Sequence, residues 1–151
     1  MAGLNNGIPI EIHLETFIEQ EGEKTHLAFD EPGQIFQMGD SLYLRYQEKN
    51  EETGKKSPVT MKIDGDGNVL LTRSSESEMR LRFANGKRIE ARYRTPYGLF
   101  PIETVTPFLE IELQEGPLAG RVNIDYQLFA GEQLIGNYKS DCNLLLNCSI
   151  I

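Results

Sequence analysis

Met79-Arg80-Leu81-Arg82-Phe83-Ala84-Asn85-Gly86-Lys87-Arg88-Ile89-Glu90-Ala91-Arg92-Tyr93-Arg94 is the stretch that decides the fold. Two runs of strict period two flank an Asn-Gly pair. Met79, Leu81 and Phe83 point one way, against Glu78, Arg80 and Arg82; Ile89, Ala91 and Tyr93 repeat the scheme against Arg88, Glu90, Arg92 and Arg94. Alternation of this kind makes a half-buried β-strand, and Asn-Gly between two such runs makes a hairpin. Parity constrains the loop as well. Odd positions can face the core on both strands only if opposed residues sum to an even number, as in Leu81 with Ile89. A two-residue loop would set Leu81 against Glu90, so the expected loop has three residues, a type I turn closed by Gly86 in the left-handed region.

The same period runs outward in both directions. Ile8, Ile10, Ile12 and Leu14 alternate with Pro9, Glu11, His13 and Glu15. Leu42, Leu44 and Tyr46 follow, then Val59, Met61 and Ile63. Late in the chain come Leu109, Ile111 and Leu113, then Val122, Ile124, Tyr126 and Leu128, then Leu134 through Cys148 on even positions. No segment holds a helical period. Turn residues fall between the runs at Glu31-Pro32-Gly33, Asp64-Gly65-Asp66-Gly67, Glu115-Gly116-Pro117 and Ala130-Gly131-Glu132. Buried parity switches from Phe100 and Ile102 to Leu109 and Ile111. A bulge or bend is therefore expected near Thr104 to Pro107, where proline cannot donate to a ladder.

About eight to ten strands are legible, and together they predict an all-β fold: a closed or nearly closed antiparallel barrel of about eight strands, formed by residues 1–151 as one domain. Closure removes the exposed edges that a long meander would leave. At 151 residues the chain buries enough surface to need no disulfide or metal staple. Its net charge of −8 disfavours nucleic acid and anionic membrane as partners. No apolar run is long enough to span a bilayer, and the first residues lack the basic and apolar parts of a secretory signal. Cys142 and Cys148, about 20 Å apart along one strand, are out of disulfide reach and read as small buried thiols. A cytoplasmic address follows as the expectation, and Asn147-Cys148-Ser149 is then a chance match to a glycosylation acceptor.

Catalytic and metal signals are thin. Asp64, Asp66 and Asn68 have the spacing of the first calcium-loop ligands, but the pattern fails at Val69 and Ser75. His13, on an outward face with Glu11, Glu15 and Glu19, and His26 make no zinc spacing. No nucleophile elbow, Walker loop or dinucleotide fingerprint occurs. The reading is a non-enzymatic protein with no cofactor and no metal.

Charge distribution says more. Between Arg73 and Arg94, seven basic residues stand against three acidic ones, a balance of +4 that leaves −12 for the rest of a −8 chain. Arg80, Arg82, Arg88, Arg92 and Arg94 share the even face of one hairpin. They are either a site for an anion or acidic partner, or an ordinary strand face paired with Glu78, Glu90 and neighbouring acids. In Tyr93-Arg94-Thr95-Pro96-Tyr97-Gly98, proline holds Thr95 extended and Gly98 permits a tight reversal. Tyr97 then projects from a rim, as a rigid corner or as a residue gating a ligand.

Arg92-Tyr93-Arg94-Thr95-Pro96-Tyr97-Gly98, Thr104-Val105-Thr106 and Val122-Asn123-Ile124-Asp125-Tyr126-Gln127-Leu128 together resemble the YwiB-like family of small bacterial proteins of unknown function. The run from Ile10 to Gly22, with Glu19-Gln20-Glu21-Gly22-Glu23, is similar too, so the resemblance spans nearly the whole chain. It implies a lipocalin-like barrel of calycin type and transfers no functional residue. The leading expectation is thus a barrel binding a small amphipathic or anionic molecule, its signature an interior cavity on which Tyr97 and an arginine converge; Arg80, Arg82, Arg92 and Arg94 are the arginine candidates. The alternative is an interaction module that docks an acidic partner, or a second copy, through the arginine hairpin. That version expects a filled interior and an uncompensated basic face.

Overall fold

The computed structural model describes residues 7–49, 53–75, 77–115 and 118–146. Within them the chain forms ten antiparallel strands: β1 (Ile8–Gln20), β2 (Glu23–Met38), β3 (Ser41–Lys49), β4 (Lys56–Ile63), β5 (Val69–Ser74), β6 (Glu78–Phe83), β7 (Arg88–Thr95), β8 (Gly98–Glu115), β9 (Leu118–Ala130) and β10 (Gln133–Leu146). Each strand pairs with its neighbours in sequence, and β1 pairs with β10 to close the barrel. The expected class therefore holds, with ten strands in place of about eight.

The two strands beyond that number are β2 and β5. Glu31-Pro32-Gly33 has the composition of a turn, yet it lies inside β2, with Pro32 opposite Glu11 and Gly33 opposite both Ile10 and Tyr46. Glycine is there because two strands come close: a Cβ on Gly33 would stand 2.6 Å from the carbonyl oxygen of Arg45 and 2.7 Å from Cδ1 of Ile12. β5 is short, and Val69, Leu70 and Leu71 in succession blur its alternation. The Asp64–Gly67 turn is a hairpin turn as read. Its Asp64 carboxylate accepts from the amides of Asp66 and Asn68, both at 2.9 Å.

Inward parity falls as expected on most strands. Ile10, Ile12, Ile35, Leu44, Val122 and Leu144 are at most 2% exposed and fill one end of the barrel. Leu81 and Ile124 are each 2% exposed. Cys142 is a buried free thiol whose pKa burial pushes up to about 12; Cys148 lies outside the described residues, as do Asn147 and Ser149. The parity switch in β8 is a bulge. Register against β9 shifts between Val105 and Phe108, and both Thr104 and Thr106 end up wholly buried.

The Asn85–Gly86 hairpin departs from expectation in one respect. Parity is kept, but Arg80 opposes Arg92, so the register is two residues away from Leu81 opposite Ile89. The turn runs from Ala84 to Lys87, closed by Lys87 N–H donating to Ala84 C=O at 3.0 Å, with Gly86 at φ +75° in its third position. A positive φ there suits a type II turn rather than type I with a closing bulge. The cause is β8. Gly86 N–H donates to Thr106 C=O at 2.6 Å and Thr106 N–H donates to Lys87 C=O at 3.1 Å, which ties the hairpin tip to the neighbouring strand.

Candidate functional site

Past its filled end, the barrel interior opens into a cavity of about 250 Å³. The inward faces of β3, β5 and β9 place polar groups in it. On β3 the even positions run Leu44, Tyr46, Glu48; on β5 the odd positions run Val69, Leu71, Arg73. Alternation thus carries a carboxylate and a guanidinium inward on the same stripes that supply the core. They meet: Arg73 Nη2 and Nε donate to Glu48 Oε2 at 2.9 and 3.2 Å, with both side chains about one-third exposed. Arg73 also rests against Met79 Sδ at 4.0 Å.

Aromatic rings form much of the remaining wall. Tyr126 lies tilted on Phe83 with centroids 4.6 Å apart and edge-to-face on Tyr138 at 4.9 Å. Tyr46 lies 6.4 Å from Phe29. Tyr138 is held from outside, its hydroxyl accepting from Gln20 Nε2 at 2.6 Å. Tyr46 and Tyr126 are different. Neither hydroxyl has a hydrogen-bond partner among the described residues, and both line the cavity. Burial pushes both phenols well above their ordinary value; the Glu48 carboxylate adds a little to that rise and the Arg73 guanidinium opposes it. Phenols shifted upward stay protonated near neutral pH and so remain hydrogen-bond donors. Two idle donors, an ion pair and an apolar wall of leucines and methionines therefore share one space inside the barrel, open to water on the side of the ion pair.

None of the sequence-predicted residues lines this cavity. Tyr97 is 93% exposed at the β7–β8 tip, where its N–H donates to Thr95 Oγ1 at 3.1 Å and the Thr95 hydroxyl donates to Gly98 C=O at 3.1 Å. It projects as expected. However, β8 pairs with β9 only from Glu103 onward, so the hairpin overruns the barrel wall and its tip clears the cavity. The arginine that does converge is Arg73, whose inward parity is the signal that sequence reading passed over.

The hairpin arginines lie outside, and the structure divides them. Arg88 leaves the group: Nε donates to Glu103 Oε2 at 2.6 Å, Nη2 donates to Gly131 C=O at 2.9 Å, and the guanidinium lies 4.7 Å over the Phe129 ring. That hydrogen bond raises the Arg88 pKa and lowers that of Glu103. Arg80, Arg82 and Arg92 line one shallow cleft of about 400 Å³ on the outer wall. Arg94 stands apart, opposite Glu78 in register but with no ion pair among the described residues.

Comparison with known proteins places this geometry in a lineage without an assigned role. Residues 12–141 match the family described as a domain of unknown function, DUF1934. The chain is 28% identical over 125 residues to the uncharacterized β-barrel protein YwiB of Bacillus subtilis, covering 83% of this chain and 84% of that one. The crystal structure of the ywiB protein from Bacillus subtilis superposes with a TM-score of 0.80 at 24% identity, covering 97% of each chain.

Proposed function

We propose that this chain, which belongs to the DUF1934 family, is a non-enzymatic carrier or sensor of a small amphipathic molecule held inside the barrel. The observation that carries the reading is the pair of tyrosine hydroxyls, Tyr46 and Tyr126, that have no partner among the described residues and face a cavity beside the Glu48–Arg73 pair. A hydroxyl that faces a cavity and has no protein partner is free to donate to an acceptor group of a bound molecule. The apolar wall, including Leu27, Met61, Leu71 and Leu81, suits the body of such a molecule. At about 250 Å³ the space is below the roughly 300–1,000 Å³ of drug-sized sites, so a small carboxylic acid fits the reading better than a long lipid. A carboxylate can accept from both phenols and from Arg73.

The chemistry of the lining argues for binding over catalysis. Tyrosines with raised pKa values stay protonated near neutral pH and are not available as bases, Glu48 is already committed to Arg73, and the buried Cys142 thiol is far from its reactive form. The test is ligand-observed NMR of the intact protein with hexanoate and benzoate. Binding should be detected for the wild type, weaken at least tenfold in Arg73→Met and in the Tyr46→Phe, Tyr126→Phe double variant, and vanish in Leu81→Trp, which fills the space. Binding unaltered by all three variants, or no binding of either acid, would overturn the reading.

A further inference from the structure

The hydrogen-bond ladder of the barrel wall has a gap between β6 and β7. Their ladder joins Glu78, Met79 and Arg80 to Arg94, Tyr93 and Arg92 and then stops, so residues 81–83 and 89–91 are not paired across this hairpin. The strands are held from behind instead. The Thr104 hydroxyl donates to Arg82 C=O, with Ile89 C=O at 3.5 Å, and the hairpin tip is tied to Thr106. Outside, at the gap, lies the cleft of about 400 Å³ lined by Arg80, Arg82, Ile89, Glu90, Ala91 and Arg92.

Charge makes this cleft unusual. Arg80 and Arg92 stand directly opposite one another, an arrangement that destabilises a sheet when nothing lies between the charges. Arg82 follows on the same face. Three other guanidiniums are engaged: Arg73 with Glu48, Arg88 with Glu103, and Arg45 over the Phe36 ring at 4.8 Å. The side chains of Arg80, Arg82 and Arg92 have no hydrogen bond, ion pair or ring contact among the described residues. One carboxylate, Glu90, lines the cleft beside three guanidiniums. An anion placed there accepts from planar forks on both sides and removes the repulsion. After Glu90 is counted, a dianion matches the remaining charge and a monocarboxylate does not.

We infer that the β6–β7 cleft is a binding site for a phosphate group, either free or carried as a monoester, separate from the interior cavity. The experiment titrates inorganic phosphate and phenyl phosphate into the protein at fixed low ionic strength, with acetate as control. It reads melting temperature, and it reads backbone amide shifts by NMR. Both phosphates should raise the melting temperature, by about 5–10 °C at 100-fold excess over Kd, while moving the amides of residues 80–92. Equal responses to the two would assign the site to the phosphate group alone; a stronger response to phenyl phosphate would assign it to esters. Arg80→Ala and Arg92→Ala should melt no lower than wild type without ligand and lose at least tenfold in phosphate affinity. Arg94→Ala and the interior Arg73→Met should keep affinity within about threefold, which separates this site from the cavity. The inference falls if acetate matches phosphate, if neither phosphate moves the 80–92 amides, or if the response survives in an Arg80→Ala, Arg92→Ala double variant. The amide readout needs no substitution, so it decides the matter even where a variant fails to fold.

Discussion

Thr104 and Thr106 offer a test in which one chemical change should have opposite effects two residues apart. Both are wholly buried on the inner side of the β8 bulge. The Thr104 hydroxyl donates to Arg82 C=O, whereas Thr106 Oγ1 has no hydrogen-bond partner among the described residues. Valine preserves the shape and the β-branching of threonine, so the substitution changes polarity and little else. An unsatisfied buried hydroxyl costs about 1–3 kcal/mol. Thr106→Val removes that cost and adds a buried methyl, so a gain of about 1 kcal/mol is a conservative expectation. For a chain of this size that corresponds to a rise of roughly 2–4 °C in melting temperature.

Thr104→Val should do the reverse. It deletes a hydrogen bond and leaves Arg82 C=O without its donor at the point where the β6–β7 ladder is already open. The expected loss is about 1–2 kcal/mol, or roughly 2–8 °C. Urea denaturation of both variants, with unchanged m-values, gives the comparison directly. If Thr106→Val is destabilised as much as Thr104→Val, the Thr106 hydroxyl is partnered, and the account of the bulge as a site with an idle buried group is wrong.

Two further perturbations check the packing and the surface charges. Gly33→Ala should destabilise by about 1–3 kcal/mol, because the added methyl meets the Arg45 carbonyl oxygen at 2.6 Å and backbone cannot step aside as a side-chain tip can; a native melting temperature would show that β2 and β3 are not so close. His13 Nδ1–H donates to Asp30 Oδ1 at 2.7 Å, with Glu15 at 3.4 Å from Nε2, and its pKa is raised first by Asp30 and then by Glu15. Because the folded pKa lies above the unfolded one, the pairing contributes fully below about pH 6.5 and is lost as pH rises through the folded value. Proton NMR should find the His13 midpoint above the ordinary histidine value of about 6.5, and Asp30→Asn should lower it; a midpoint that Asp30→Asn leaves unmoved would refute the pairing.

How far the fold could be read from the sequence follows from which residues obey two rules at once. β1, β3, β4, β6, β7 and β9 alternate without interruption, so their inward faces were legible. The β8 bulge was legible because Pro107 and the parity change from Ile102 to Leu109 point to one place. β2 was not, because Pro32 and Gly33 are turn-like by composition while their structural role is a close crossing of strands. The hairpin loop was misjudged by two residues because local turn rules take no account of Thr106, twenty residues on, which supplies hydrogen bonds to its tip.

The cavity was hidden by a different assumption: that a charged residue marks the outward face. On β3 and β5 the stripe rule and the charge rule conflict at Glu48 and Arg73, and the stripe rule wins. Two opposite charges at the open end of inward-facing stripes neutralise each other and keep partial access to water, so their burial costs far less than that of a lone ion. The same reasoning explains why the outer arginines behave differently. Arg80, Arg82 and Arg92 obey both rules, outward by parity and outward by charge, and so read as an unremarkable strand face. What the alternation cannot show is that the ladder beneath them stops at Arg80 and Arg92, since pairing depends on how β8 pulls the hairpin tip rather than on either strand's own pattern. An inward charge on an apolar stripe and an outward cluster over a broken ladder are thus complementary signs of a site: parity alone finds the first, and only the registers find the second.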